Sequence, residues 1–290
     1  MIPRKRSTIS GSNRAWSLVI VGVTVIGLFL TGCAEVNYLR DAQSAFSQAA
    51  RLENELRTSE TTTAETNVLL LESEVRAGYA SAIASIGKLD SNQIASLKSD
   101  KLWGVALTIK AMSYWRLGDY DEMENVAKQA KEINGEIYPR DKALLLALPG
   151  LRRVDEAQAI IAASIIGKDE QDEKKIKEER LRAVERLVGN ASAILTEARQ
   201  SVSREHSVRS YLIQAELAGY KNLLDGRNKF TGGRLSVDEV EKVKQLLTEL
   251  DCSFKKSLKD SDDLLAVRAT VVLAWQERFG LVDKDVACKD

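Results

Sequence analysis

The apolar positions of this chain form one uninterrupted run followed by a long succession of stripes at helical spacing. The run is residues 18–30, LVIVGVTVIGLFL, which carries no charge. Stripes begin soon after it. Leu39, Ala42, Phe46, Ala49 and Leu56 recur at turn-by-turn spacing, which predicts a helix over 36–57. The polar stretch TSETTT (58–63) breaks that pattern. Val68, Leu71, Val75, Tyr79, Ile83 and Ile86 then share one stripe, predicting a second helix over 64–89. Asp90-Ser91-Asn92-Gln93 has capping-box spacing, with Asp90 as the cap and Gln93 reaching back, and opens a short helix over 93–97.

Residues 102–117 are apolar on most sides, through Leu102, Trp103, Val105, Leu107, Ile109, Met112, Tyr114 and Trp115. A helix of that kind is expected to be buried between neighbours. Gly118-Asp119-Tyr120 makes a turn, and 121–133 is amphipathic, with Met123, Val126, Ala127, Ala130 and Ile133 on one face. Residues 141–160, DKALLLALPGLRRVDEAQAI, suggest the same layout: Pro149 stands where a turn would fall, and Asp155-Glu156-Ala157 would open a second helix. The charge run KDEQDEKKIKEERLR (168–182) has i,i+4 pairs Glu170/Lys174 and Glu173/Lys177 that support an exposed helix. A solvated helix face is the expected role, with a partner-binding face or a flexible linker as alternatives.

Further helix is expected over 183–224, with a break near Ser203. DGRNKFTGGR (225–234) has three glycines and reads as a loop. Ser236 and Glu239 form a second capping box ahead of a helix over 237–254. The last predicted helix, Asp262–Phe279, is strongly apolar through Leu264, Val267, Val271, Leu273 and Trp275.

Residues 102–135, a helix–turn–helix, resemble one tetratricopeptide repeat in Leu107, Ala111, Tyr114, Gly118, Tyr120, Ala127 and Ala130. Small residues at Ala111, Ala127 and Ala130 would let paired helices approach closely, and Gly118 would permit the turn. The chain departs from the repeat pattern at Lys110, Met123 and Gly135. One repeat cannot bury its own faces, so neighbours must stack on it. The resemblance implies an all-α fold of stacked antiparallel helical hairpins, a tetratricopeptide-like solenoid, over 33–166 (clearest unit 102–135), and the charge run would divide it from a helical bundle over 167–290. In the resembling family the first helix of each unit lines a groove, which here would include Lys110 and its neighbours on 102–117.

The apolar run acquires meaning from its flanks. Arg4, Lys5, Arg6 and Arg14 precede it with no acidic residue, and Leu30-Thr31-Gly32-Cys33 closes it. That order is the order of a secretory signal, with positive charges retained on the cytoplasmic side and the apolar run partitioning into the bilayer. Leu30-Thr31-Gly32-Cys33 resembles the lipobox of bacterial lipoproteins. The resemblance implies that residues 1–32 are removed, that Cys33 receives a diacylglycerol and becomes the first residue, and that its new amino group is acylated. Stable attachment needs more than one chain, because burial is worth about 0.8 kcal/mol per CH₂ and a single chain holds only marginally. Ala34, standing where Asp would signal retention, implies an outer-membrane location facing the periplasm. The alternative is a retained transmembrane helix over 15–32, at the short limit for spanning, with Cys33 left as a thiol.

Charge adds little. Of 290 residues, 42 are basic and 42 acidic. Loss of the four basic leader residues would leave a slight acidic excess, opposite to what nucleic-acid binding wants. Cys252 and Cys288 remain once Cys33 is lipidated, and in an oxidising compartment they would form a disulfide worth about 3–4 kcal/mol, or else stay as two thiols.

Candidate catalytic chemistry is sparse. His206 is the single histidine and is expected at a surface or boundary. Too few His and Cys exist for a usual zinc site. No nucleophile elbow, phosphate-binding loop or dinucleotide fingerprint occurs. Gly232-Gly233 follows no strand, and Asp262-Asp263 lacks calcium-loop spacing and reads as helix-start carboxylates. The expectation is a non-enzymatic protein without cofactor or metal. It would be held to the membrane through Cys33 and act as a helical-repeat scaffold for another envelope protein or peptide. The alternative is an accessory lipoprotein of solute transport or outer-membrane assembly.

Overall fold

The computed structural model describes residues 34–59, 65–133, 137–167, 169–202, 206–257 and 262–281. Every regular element among the described residues is an α-helix. In order they are α1 (Ala34–Ser59), α2 (Glu65–Gly87), α3 (Ser91–Ser99), α4 (Trp103–Leu117), α5 (Tyr120–Lys131), α6 (Pro139–Ala162), α7 (Glu170–Gln200), α8 (His206–Thr231), α9 (Val237–Ser257) and α10 (Asp262–Phe279). The all-α class expected from the sequence is observed. Neighbouring helices pair as α1/α2, α4/α5, α6/α7 and α8/α9, and the pairs stack through α2 on α4, α4 on α6, α6 on α8 and α7 on α8. The short α3 is inserted between the first two hairpins and packs on α1 and α4. On α9 packs α10.

Small residues set the spacing of the first hairpin. Ala42, Ala49 and Ala82 have no exposed surface. Gly78 lies so close to α1 that a Cβ there would stand 2.8 Å from the Ala49 Cβ. Phe46 meets Tyr79 edge-on at 5.4 Å, a favoured aromatic geometry. The Asp90 capping box forms as read: the Asn92 and Gln93 amides each donate to Asp90 Oδ1 at 2.9 Å, and the Asp90 amide donates to Gln93 Oε1 at 3.0 Å. Its helix, α3, is two residues longer at each end than expected.

Helix α4 is buried nearly all round, from Gly104 to Ile109 and again at Ala111, Met112, Ser113 and Trp115. Its buried hydroxyls are satisfied within the helix, Thr108 donating to the Gly104 carbonyl at 2.9 Å and Ser113 to the Ile109 carbonyl at 2.8 Å. The helix stops at Gly118, whose φ of 78° is the left-handed cap that glycine adopts at least cost. Asp119 then caps α5 by accepting from the Glu122 amide.

Two local expectations are corrected. Residues 141–160 are not a helical hairpin; they lie inside the continuous α6, with Pro149 in its interior. An interior proline costs about 3 kcal/mol by removing one helical donor and crowding the preceding turn. Leu145, Leu148, Leu151 and Val154 are all buried along the same helix, at roughly 1.5–3 kcal/mol per side chain, so packing overrides the break. The Pro149 carbonyl accepts from Arg153 Nη1 at 2.7 Å. Residues 225–234 are not a loop over their whole length either, since α8 runs to Thr231. Gly226 is a packing glycine: a Cβ there would meet Val184 Cγ1 at 3.4 Å and Ile161 Cγ1 at 3.7 Å. Only Gly232, with φ of 67°, takes the left-handed turn.

One apolar cluster runs from Leu107 on α4 through Met123 on α5, Leu148 on α6 and Leu195 on α7 to Leu212 on α8. The boundary drawn at 166/167 falls in the α6–α7 loop, and this core continues beneath it. A second cluster joins Ile213 and Leu217 of α8 to Leu246, Leu247 and Leu250 of α9 and Val271 and Trp275 of α10.

Candidate functional site

The open face of α4 is narrow. Trp103, Lys110 and Tyr114 are half-buried among fully buried neighbours. Their spacing of seven and four residues puts them on one side of the helix. Lys110 Nζ lies 5.9 Å from the Tyr114 ring centre, within cation–π range. Burial raises the Tyr114 pKa first, and the Glu122 and Asp119 carboxylates raise it further, so its hydroxyl stays a donor at neutral pH. The stripe therefore offers two aromatic faces, a phenol and an ammonium. Those groups suit a peptide or protein surface better than bond-making chemistry.

Behind this stripe, four helices meet in a polar seam. Tyr79 of α2 donates to Glu53 Oε2 of α1 at 2.7 Å, and Arg116 Nη1 of α4 donates to Glu53 Oε1 at 3.0 Å. Trp115 Nε1 of α4 donates to Asp155 Oδ2 of α6 at 2.7 Å. The Arg116 guanidinium stacks over the Trp115 ring at 4.0 Å. Burial acts to lower the Arg116 pKa, but Tyr211, Glu53, Tyr79 and Asp155 together outweigh it and hold the value above its usual one. Burial is also the main reason the Tyr79 pKa is raised, with Arg116 opposing and Glu53 reinforcing. Arg116 is thus a fixed cation with its charge matched locally, and the seam works as a clasp.

A second polar cluster is buried more deeply. Arg199 of α7 and Glu216 of α8 form an ion pair at 3.4 Å with side-chain exposures of 5% and 1%. Glu216 also accepts from Ser192 at 2.6 Å and Thr196 at 3.2 Å, with Lys242 at 3.9 Å. Arg199 also bonds Glu249 of α9, which accepts in addition from Arg209 at 3.0 Å. This arrangement neutralises two buried charges and couples α7, α8 and α9.

The residues singled out from sequence fall as follows. Cys33 and Cys288 lie outside the described residues. Cys252, on α9, is in a disulfide. Lys110 is on the open face of α4. His206 begins α8 and is half-buried, with its Nδ1 buried and unpartnered. Gly232 and Gly233 follow α8 as its cap, the Gly233 amide donating to the Arg227 carbonyl at 3.1 Å. Asp262 and Asp263 open α10. Among the described residues no group of three His, Cys, Asp or Glu is placed to hold a metal ion, and no helix is long and apolar enough to cross a membrane.

Sequence reading passed over Glu53, Arg116, Arg199, Glu216 and Glu249, and took Asp155 only as the opening of a helix. A signal existed for one of them: Glu216 shares a stripe with Leu212, Gly219 and Leu223, and a lone carboxylate on an apolar stripe demands a buried partner. For Glu53 and Arg116, which are far apart in sequence, no local pattern announces the pairing. Compared with known proteins, the chain matches no family model, no curated protein and no solved structure.

Proposed function

We propose that this chain is a lipid-anchored lipoprotein of the bacterial envelope whose stacked hairpins serve as a scaffold for another protein or peptide. One observation carries the binding role. In α4, where the tetratricopeptide resemblance is strongest, Trp103, Lys110 and Tyr114 form a half-exposed stripe on a helix otherwise buried from Gly104 to Ser113, with Arg116 and Leu117 half-buried at its last turn. Aromatic anchors whose backbone is already ordered bind at low entropic cost. The anchor is supported by the leader: a basic segment, an apolar run, and Leu30-Thr31-Gly32-Cys33. The role is one of binding rather than catalysis.

Two measurements test the two halves separately. Metabolic palmitate labelling should mark the wild-type chain and leave Cys33→Ala unmarked; equal labelling of both would remove the anchor. A photo-crosslinking amino acid at Lys110 should trap a discrete envelope partner in cells, and the same group at Gly189, on the open face of α7, should not. Identical crosslink patterns from both positions would refute the stripe as the binding face.

A further inference from the structure

We infer that the end of the molecule built from the start of α1, the α2–α3 turn, α3 and the start of α4 lies against the bilayer; this inference rests on lipidation at Cys33. The argument is the lack of a tether. Helix α1 is formed from Ala34, the residue after Cys33. Consecutive Cα atoms are about 3.8 Å apart, so the acylated residue is attached almost directly to the folded body. The start of α1 is also fixed in place. Glu35 accepts from Ser96 Oγ of α3 at 2.8 Å, Leu39 is 4% exposed and Ala42 is fully buried. Peeling this turn away from α2 and α3 would break those contacts, so the body cannot swing out on a leash.

The surface around that attachment point suits a lipid interface. Tyr38 is half-buried there, and an amphipathic ring of this kind favours the headgroup level. Lys88, whose Nζ lies 6.0 Å from the Tyr38 ring centre, is exposed at the α2–α3 turn. Lys98 and Lys101 are exposed beside it, and long lysine stems can lie along an apolar surface while their charges stay in water. Asp90 and Asp100 are exposed at the same end and Glu35 stands there too, three acids against the three lysines, so the two signs are balanced. Contact is therefore dictated by where the lipid is attached and not by lipid charge. The tip of the α1/α2 hairpin stands at the other end of α1, about 39 Å away for 26 residues at about 1.5 Å each. Leu70, 62% exposed, lies near that tip.

The test uses the full-length lipidated protein in phosphatidylcholine vesicles, with and without phosphatidylglycerol. Spin labels are placed on Lys98→Cys, Lys101→Cys and Leu70→Cys, and collisions with nickel chelated to a lipid headgroup are measured after circular dichroism has shown each variant folded. Labels at 98 and 101 should relax several-fold faster than the label at 70, equally in both vesicle types. Equal or reversed rates overturn the orientation, and rates that appear only with phosphatidylglycerol overturn its geometric basis. Palmitate labelling of the same preparations separates the causes. Reversed rates on a labelled chain sink the orientation alone, whereas a chain that takes no label at Cys33 sinks both it and the anchor.

Discussion

Glycines inside the helices differ in the room that a methyl group would find, and this grading tests the packing directly. A Cβ would stand 2.8 Å from Ala49 Cβ at Gly78, 3.0 Å from Leu195 Cγ at Gly150, and 3.4 Å from Val184 Cγ1 at Gly226. At Gly189 nothing lies within 4 Å. Replacing a helical glycine by alanine restricts the unfolded chain and favours the helix by about 0.5–1 kcal/mol wherever the backbone allows it. Opposing this is overpacking, typically about 1–3 kcal/mol. At Gly189 only the gain operates, so Gly189→Ala should stabilise by about 0.5–1 kcal/mol. At Gly78 the obstacle is a methyl fixed to the α1 backbone, which has no rotamer to escape into. Carbons prefer a separation of about 3.5–4.0 Å, so the helices must part by roughly 1 Å, and the net effect should be a loss of about 1–2 kcal/mol.

Gly150→Ala should fall between them. Leu195 and Ile194 can turn aside, but the Ala191 carbonyl at 3.3 Å belongs to a backbone that cannot. Gly226→Ala meets ordinary contact and should be close to neutral. Urea unfolding followed by far-ultraviolet circular dichroism measures each difference, and thermal midpoints should move by about 2–4 °C per kcal/mol for a chain of this size. The order Gly189, Gly226, Gly150, Gly78 from gain to loss is the prediction. If Gly78→Ala stabilised as much as Gly189→Ala, the close approach of α1 and α2 would be refuted, and with it the account of why that hairpin is rich in alanine.

Other consequences can be checked with the same unfolding assay. Pro149→Ala restores a helical donor within α6 and should stabilise by about 1–3 kcal/mol; no gain would mean that the helix is interrupted there after all. Arg199→Met strands the buried Glu216 and should cost about 3–5 kcal/mol, most of which Glu216→Leu in the same chain should restore, since an apolar pair can replace a buried ion pair. Failure of the second change to restore stability would show that Glu216 answers to Ser192, Thr196 and Lys242 more than to Arg199. Burial works against ionised Glu239, but bonds from Arg227 and Ser236 prevail and lower its pKa below the ordinary 4.5. A depressed carboxyl pKa contributes stability that is complete above the unfolded value and fades as pH falls through the folded one. The advantage of wild type over Glu239→Gln should therefore be constant at neutral pH, shrink below about pH 4.5 and vanish at lower pH; an advantage that persisted in strong acid would refute the pairing. Tyr79→Phe removes the donor to Glu53 and should cost about 1–2 kcal/mol, with no change expected if the phenol were solvated instead.

Much of the fold was legible because the chain announces its helices by periodicity. The stripes on α1, α2 and α9 gave their existence and nearly their ends, and both capping boxes formed. In the second, the Ser236 amide donates to Glu239 at 2.7 Å and the Glu239 amide to Ser236 Oγ at 3.3 Å. The errors share one physical origin. Pro149 and Gly226 were read by local propensity, as breakers, while the structure uses them under tertiary contact: four buried side chains hold α6 together around the proline, and α7 crosses α8 where the glycine makes room. The candidate stripe was partly visible, in Lys110 as a charge set between apolar turns of its helix. The seam behind it was not, since Glu53, Tyr79, Arg116 and Asp155 come from four separate helices whose pairing no local pattern encodes.

The two polar clusters complete what apolar packing leaves open. Burial of alanine and leucine is non-directional, and an alanine-lined helix pair retains much of its contact when one helix slips along the other. A hydrogen bond between fixed side chains does not survive such a slip. Tyr79 to Glu53 fixes α2 against α1, Arg116 to Glu53 fixes α4 against α1, and Trp115 to Asp155 fixes α6 against α4. Farther along, Arg199 and Glu216 do the same for α7 and α8, and Glu249 brings in α9. The bonds of Arg116 to Glu53, Trp115 to Asp155 and Arg199 to Glu249 join helices that no loop connects directly, so they set a register that the chain's own turns leave open. The open stripe of α4 is carried by the helix that contributes both Trp115 and Arg116, so the groups offered to a partner are positioned by the same bonds that align the first three hairpins.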